Sequence, residues 1–213
     1  MKKIVITGGI GAGKTAVLKY LQENVNCKII RADDVAHILM EPYEKCYYEI
    51  LNAFPEYDLL TYPARQNYPD DESLNNKENP FDKEKLSRMI FSNEDNRDKL
   101  NSIVHPAVKE YILEDVQSEE DKGEIDYYFL EVALAIEEGY DKLFDETWYI
   151  YASEKTRSKR LEINRGYSEE KITGIMNSQL SEEEYKLHAT HIICNDNSLD
   201  ELYANIGNIL HCD

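Results

Sequence analysis

The stretch Gly8-Gly9-Ile10-Gly11-Ala12-Gly13-Lys14-Thr15 holds the residues with the plainest chemistry in this sequence. Its spacing, Gly-x-x-x-x-Gly-Lys-[Ser/Thr], is that of a loop that binds the phosphates of a nucleoside triphosphate. Phosphate oxygens approach such a backbone so closely that a Cβ would block them. Glycines leave the N–H groups able to curl into an anion-binding nest. Lys14 is long enough to reach the β- and γ-phosphates, and the Thr15 hydroxyl is a ligand suited to Mg²⁺. Gly9, Ile10, Gly11, Ala12, Gly13, Lys14, Thr15 and Ala16 are therefore the candidate ATP-binding residues. Thr15 is the candidate metal ligand, and Mg²⁺ would enter together with ATP.

Two carboxylates and a basic cluster complete the set. Asp33 and Glu131 follow short β-branched or aromatic runs, at the strand ends where open α/β sheets bind ligands. Asp33 in that position can act as a general base or simply cap the helix that follows, and the residues alone leave both open. Lys155, Arg157, Lys159, Arg160 and Arg165 fall within eleven residues that contain one acid, Glu162. In a chain of net charge −18 this is a local exception. It reads either as a solvated helix face or as positive charge gathered over a polyanion.

The elements that must position these groups can be read from periodicity. Lys3–Thr7 precedes the loop as a strand, and Thr15–Asn24 follows it as a helix with Val17, Leu18 and Leu21 on one face. Cys27–Arg31 reads as a second strand and Val35–Met40 as the start of a helix. Alternation then breaks. Lys45–Phe54 reads as a helix, 55–80 as a long loop with four of the six prolines, and Asp82 as the cap of a helix to Ser92. Asn93–Asn101 and a further helix beginning at Pro106 and running towards Gln117 complete a mostly helical insertion over 41–126. Alternation resumes with strands at Tyr127–Glu131, Thr147–Tyr151 and His191–Cys194, and helices at Ser153–Asn164 and Ser168–Leu180. Ser181-x-x-Glu184 is a capping box, and Ser198-x-x-Glu201 opens a last helix. The expected architecture is α/β: a parallel five-stranded sheet of the P-loop NTPase type, helices on both faces, a helical insertion and a helical lid over 153–180. All 213 residues then form one kinase-sized domain.

Composition narrows the class. A net charge of −18, from 42 acidic against 24 basic residues, repels nucleic acid and anionic membranes. No apolar run is long enough to span a bilayer, and the chain opens directly into a strand, so no secretory leader is expected. Four scattered cysteines with no Cys-x-x-Cys pair suit a reduced cytoplasmic protein without structural zinc. A GTPase switch is disfavoured. Asn76-Lys77-Glu78-Asn79 lacks the aspartate of a guanine-reading motif, and no Asp-x-x-Gly occurs. The size suits a small-molecule kinase.

The ordered motifs resemble the dephospho-CoA kinase family nearly end to end. Ile6–Thr15 is similar to its phosphate loop, and Arg31-Ala32-Asp33 stands where the family usually has Asp-Ala-Asp. Phe81-Asp82-Lys83 looks like its Asp-Arg segment, and Ile103-Val104-His105-Pro106 carries its His-Pro. Glu131–Gly139, Arg160-Leu161 with Arg165-Gly166, Gln179, and Ile193-Cys194-Asn195 continue the match. The resemblance implies transfer of the ATP γ-phosphoryl group to the ribose 3′-hydroxyl of dephospho-CoA. Asp33, Lys14 and Arg160 would be catalytic, and Arg160, Arg165 and Asn195 would be on ATP. Asp33, Lys83, His105 and Glu131 would contact the acceptor, with the 41–126 insertion binding it. A monomer or weak oligomer is expected, with no nucleic-acid or membrane partner. The alternatives are a P-loop kinase of a nucleoside or another small hydroxyl metabolite, and a non-catalytic nucleotide-binding protein.

Overall fold

β-Branched and aromatic runs form five short strands, all paired parallel. A computed structural model describes residues 1–61 and 80–211. The strands are β1 (Lys2–Thr7), β2 (Cys27–Arg31), β3 (Tyr127–Glu131), β4 (Glu146–Tyr151) and β5 (His191–Cys194), in the order β2-β3-β1-β4-β5. Burial follows that order. The three inner strands are continuously buried along their centres, as expected of a parallel sheet covered on both faces, whereas β2 and β5 at the edges are only partly buried. Val17, Leu18 and Leu21 of α1 (Lys14–Asn24) and Leu202 and Ile206 of α9 (Leu199–His211) pack with Ile4, Ile6, Phe129, Trp148 and Ile150.

The chain forms two compact units. One comprises residues 1–31 and 116–213 and contains the sheet; the other comprises 32–115. The first also holds α6 (Glu154–Arg165), α7 (Glu169–Asn177) and α8 (Glu182–His188). Ser153 caps α6, Ser168 caps α7, and Ser181 and Glu184 close the expected capping box on α8. Gly166 ends α6 in the left-handed region at φ 62°, where a Cβ would be strained.

The second unit contains α2 (Ala32–Leu39), α3 (Lys45–Ala53), α4 (Lys83–Ser92) and most of α5 (Glu94–Lys122). Asp82 caps α4 as expected, its carboxylate accepting from the N–H groups of Glu84 and Lys85. The ends of the proline-rich stretch are joined: Leu60 pairs antiparallel with Phe81, and the Thr61 N–H donates to Pro80 O at 3.0 Å. Positions 62–79 of the expected long loop lie outside the described residues.

Two local expectations need correction. Helix α2 begins at Ala32, so Asp33 lies in its first turn and does not cap it. Two helices were expected at 93–101 and from Pro106, but α5 is a single helix of 29 residues with Pro106 inside it. Leu100, Val104, Ala107, Val108 and Ile112 are buried on both sides of that proline. This apolar stripe, at helical spacing, offsets the one backbone hydrogen bond that the proline cannot donate. No helix of the described residues is long and apolar enough to cross a membrane.

Candidate active site

Strand β1 delivers the chain to the phosphate loop at the C-terminal edge of the sheet, and α1 leaves from it. Gly13 occupies the N-cap of α1 at φ 96°, a conformation that side-chain-bearing residues rarely adopt. The loop's carbonyls are held by side chains. Lys14 Nζ donates to Gly8 O at 2.8 Å, and Arg160 donates to Gly11 O and Ala12 O, both at 3.3 Å. Asn195 Nδ2 donates to Ala12 O at 2.7 Å. A trans peptide sets its C=O and the next N–H in opposite directions. Fixing Ala12 O on Asn195 and Arg160 therefore turns the Gly13 N–H the other way. Among the described residues, the N–H groups of Gly11, Gly13 and Thr15 have no acceptor. They lie at the positive end of α1, whose first turn contains no acid.

These residues border a cavity of about 340 Å³, with Glu131, Arg160 and Arg165 also in its wall. Lys14 Nζ lies 3.7 Å from Glu131 Oε1, both side chains being largely shielded from solvent. Strand register places Glu131 at the end of β3 beside Ile6 of β1 and Arg31 of β2. Thr15 is exposed, and its hydroxyl has no partner among the described residues. The site is thus a group of N–H donors and cations around a cavity, with a hydroxyl and a carboxylate on its wall. It can hold a polyanion, and its hard oxygen donors suit Mg²⁺.

The family model described as dephospho-CoA kinase matches residues 3–201. The chain belongs to the dephospho-CoA kinase family. It is 32% identical over 207 residues to a dephospho-CoA kinase of Oceanobacillus iheyensis, covering 97% of this chain and 95% of that one. It is 30% identical to one of Carboxydothermus hydrogenoformans, with 97% and 92% covered. A crystal structure from Thermus thermophilus, 25% identical, superposes with a TM-score of 0.75 over 99% of this chain and 96% of that one. A dephospho-CoA kinase from Campylobacter jejuni has the same fold, with a TM-score of 0.70 at 24% identity and the same coverage.

Family membership makes the chain a kinase, and its sequence-marked residues fall in two groups. Gly9 to Ala16, Glu131, Arg160, Arg165 and Asn195 are all in the sheet-bearing unit. Asn195 is buried at the end of β5, and its amide is engaged by the loop backbone. Arg160 also donates to Asn195 O at 2.8 Å. Asp33, Lys83 and His105 are in the other unit. Asp33 is exposed in the first turn of α2, Lys83 is exposed as the first residue of α4, and His105 is half-buried in α5.

Two residues without an assigned role in the sequence reading touch the loop. Gln179, just beyond α7, accepts the Ile10 N–H at 3.1 Å and Arg157 Nη1 at 3.3 Å. Arg157 was legible only as part of the basic cluster and Gln179 only as a family position. Neither has a spacing signal that ties it to a loop more than a hundred residues earlier.

Proposed function

We propose that this kinase transfers the γ-phosphoryl group of ATP to the ribose 3′-hydroxyl of dephospho-CoA, giving CoA and ADP, the last step of CoA biosynthesis. The observation that carries the reading is the family match over residues 3–201, laid on a loop whose N–H groups face outward from carbonyls held by Lys14, Arg160 and Asn195.

Phosphoryl transfer demands positioning and charge neutralisation more than covalent participation by the protein. The loop amides and the N-terminal end of α1 bind the phosphates, and Lys14 follows charge onto the leaving β-phosphate oxygen. Thr15, with Glu131 on the same wall, would hold Mg²⁺, which would supply charge neutralisation to the phosphates. Arg160 and Arg165 contribute positive charge from α6, and closure of the 153–180 segment as a lid excludes water. Asn195 supports the donor site. In the transfer, the 3′-oxygen forms a bond to the γ-phosphorus while the bond to the β-bridging oxygen breaks. Asp33 takes the hydroxyl proton. Lys83, His105 and Glu131 contact the acceptor, and the 41–126 region binds the rest of it. We place the protein in the cytoplasm as a monomer or weak oligomer. Its net charge of −18 supports the absence of nucleic-acid and anionic-membrane partners.

A substrate panel with ADP release as the readout tests the reading. Dephospho-CoA should give Mg²⁺-dependent turnover that is lost in EDTA and in Lys14→Ala. Preferred phosphorylation of nucleosides, shikimate or gluconate would assign a different acceptor. Equal turnover by Lys14→Ala would remove the loop from the mechanism.

A further inference from the structure

The phosphate loop is held from two sides. Arg160 and Asn195 take its carbonyls near Gly13. On the opposite flank, Gln179 Oε1 accepts from both the Ile10 N–H and the Arg157 guanidinium. Two donors meeting at one atom identify that atom as the amide oxygen, since the NH₂ end would face both donors with no acceptor between them.

Arg157 is packed onto the loop as well as bonded to Gln179. A Cβ built on Gly9 would lie 1.8 Å from Arg157 Nη1 and 3.1 Å from Gln179 Oε1. A Cβ on Gly11 would lie 3.0 Å from the backbone oxygen of Arg157. Unlike Gly8, Gly11 and Gly13, Gly9 has no positive φ. A side chain at Gly9 would therefore have to displace the guanidinium lying against it, whatever the backbone conformation. Burial and neighbouring carboxylates raise the Tyr149 and Tyr185 hydroxyls to about 12, while Arg157 pulls both back, so its charge lies close to this stacked pair.

We propose that Gln179 and Arg157 are positioning residues for ATP: together they clamp the Gly9–Ile10 peptide, and so aim the N–H groups that follow it at the phosphates. Resting on the nucleotide reading above, the clamp joins the loop to both ends of the α6–α7 segment, Arg157 lying in α6 and Gln179 just past α7. The Gln179 N–H donates to Met176 O at 3.2 Å, which fixes the residue to the last turn of α7. Neither residue needs to touch the reacting atoms.

Binding of ADP with Mg²⁺, followed by calorimetry, tests the clamp independently of the acceptor. Gln179→Met keeps the length but has no acceptor for the Ile10 N–H. Its Kd for ADP should rise about tenfold, the scale of a lost hydrogen bond to a charged group. In turnover the KM for ATP should rise by a similar factor, while kcat and the acceptor KM stay within about twofold. Gly9→Ala should displace the guanidinium and weaken ADP much as Arg157→Ala does. Because both remove one contact, the double variant should be no weaker than the worse single. Unchanged or tighter ADP binding by Gln179→Met, or additive losses in the Gly9/Arg157 pair, would overturn the clamp. Failure of the wild-type protein itself to bind ADP would overturn the nucleotide reading and the clamp with it. ADP binding without transfer to dephospho-CoA would overturn the acceptor alone and leave the clamp readable.

Discussion

Replacing Gly13 by alanine strikes the loop where its geometry is most constrained. Gly13 has φ 96°, and a Cβ there would lie 2.1 Å from Asn195 Nδ2. Two costs follow. A non-glycine residue in sparsely populated φ/ψ space costs about 1–3 kcal/mol. The second cost arises because Asn195 is buried, only 3% exposed, with its amide donating to Ala12 O and its own N–H to Tyr151 O. Displacing that amide leaves buried polar groups unpaired, for about another 1–3 kcal/mol. The sum is about 2–6 kcal/mol, and for a chain of this size each kcal/mol lowers Tm by roughly 2–4 °C. Thermal unfolding followed by circular dichroism should show a fall of at least about 4 °C. Asn195→Ala removes the obstruction but not the backbone strain, so the double variant should lose less than the two singles combined. A Gly13→Ala protein with wild-type Tm, or a strictly additive double variant, would refute the claim that Asn195 and Gly13 share one space.

Three further outcomes are expected. Asp33→Asn should lower kcat on the order of a hundredfold or more, the scale of general-base loss, with ADP affinity nearly unchanged. Because Asp33 lies in the first turn of α2, loss of its charge should cost about 0.3–1 kcal/mol in a melt, and a larger stability loss with intact kcat would make it structural. Lys83→Ala should raise the acceptor KM far more than the ATP KM in steady-state kinetics; an unchanged acceptor KM would remove it from the site. Pro106→Ala restores a donor in the interior of α5 and should stabilise by about 1–2 kcal/mol after allowing for the more flexible unfolded chain, checked by denaturant midpoint.

Much of the molecule is set by short-range pattern. The run Lys2–Thr7, the glycine spacing and the apolar face of α1 specify strand, loop and helix locally, because side-chain period and φ preference act over a few residues. The caps at Asp82 and Ser181 were legible for the same reason, whereas Ser153 and Ser168, read as the first residues of their helices, are the caps that precede them. Pro106 was misread because its local rule, first position of a helix, competes with a buried stripe from Leu100 to Ile112 that only packing rewards. Asp33 was read as flanking a helix that starts near Val35, but the helix begins at Ala32, one residue before Asp33. What tertiary structure alone decided is the set of partners around the phosphate loop. Asn195 reaches across 183 positions to Ala12 O, and Gln179 reaches across 169 to the Ile10 N–H. Nothing in periodicity or spacing ties residues so far apart. They meet because β4 and β5 pair parallel beside β1, bringing the C-terminal ends of those strands, and the segments that follow them, to the edge from which the loop departs.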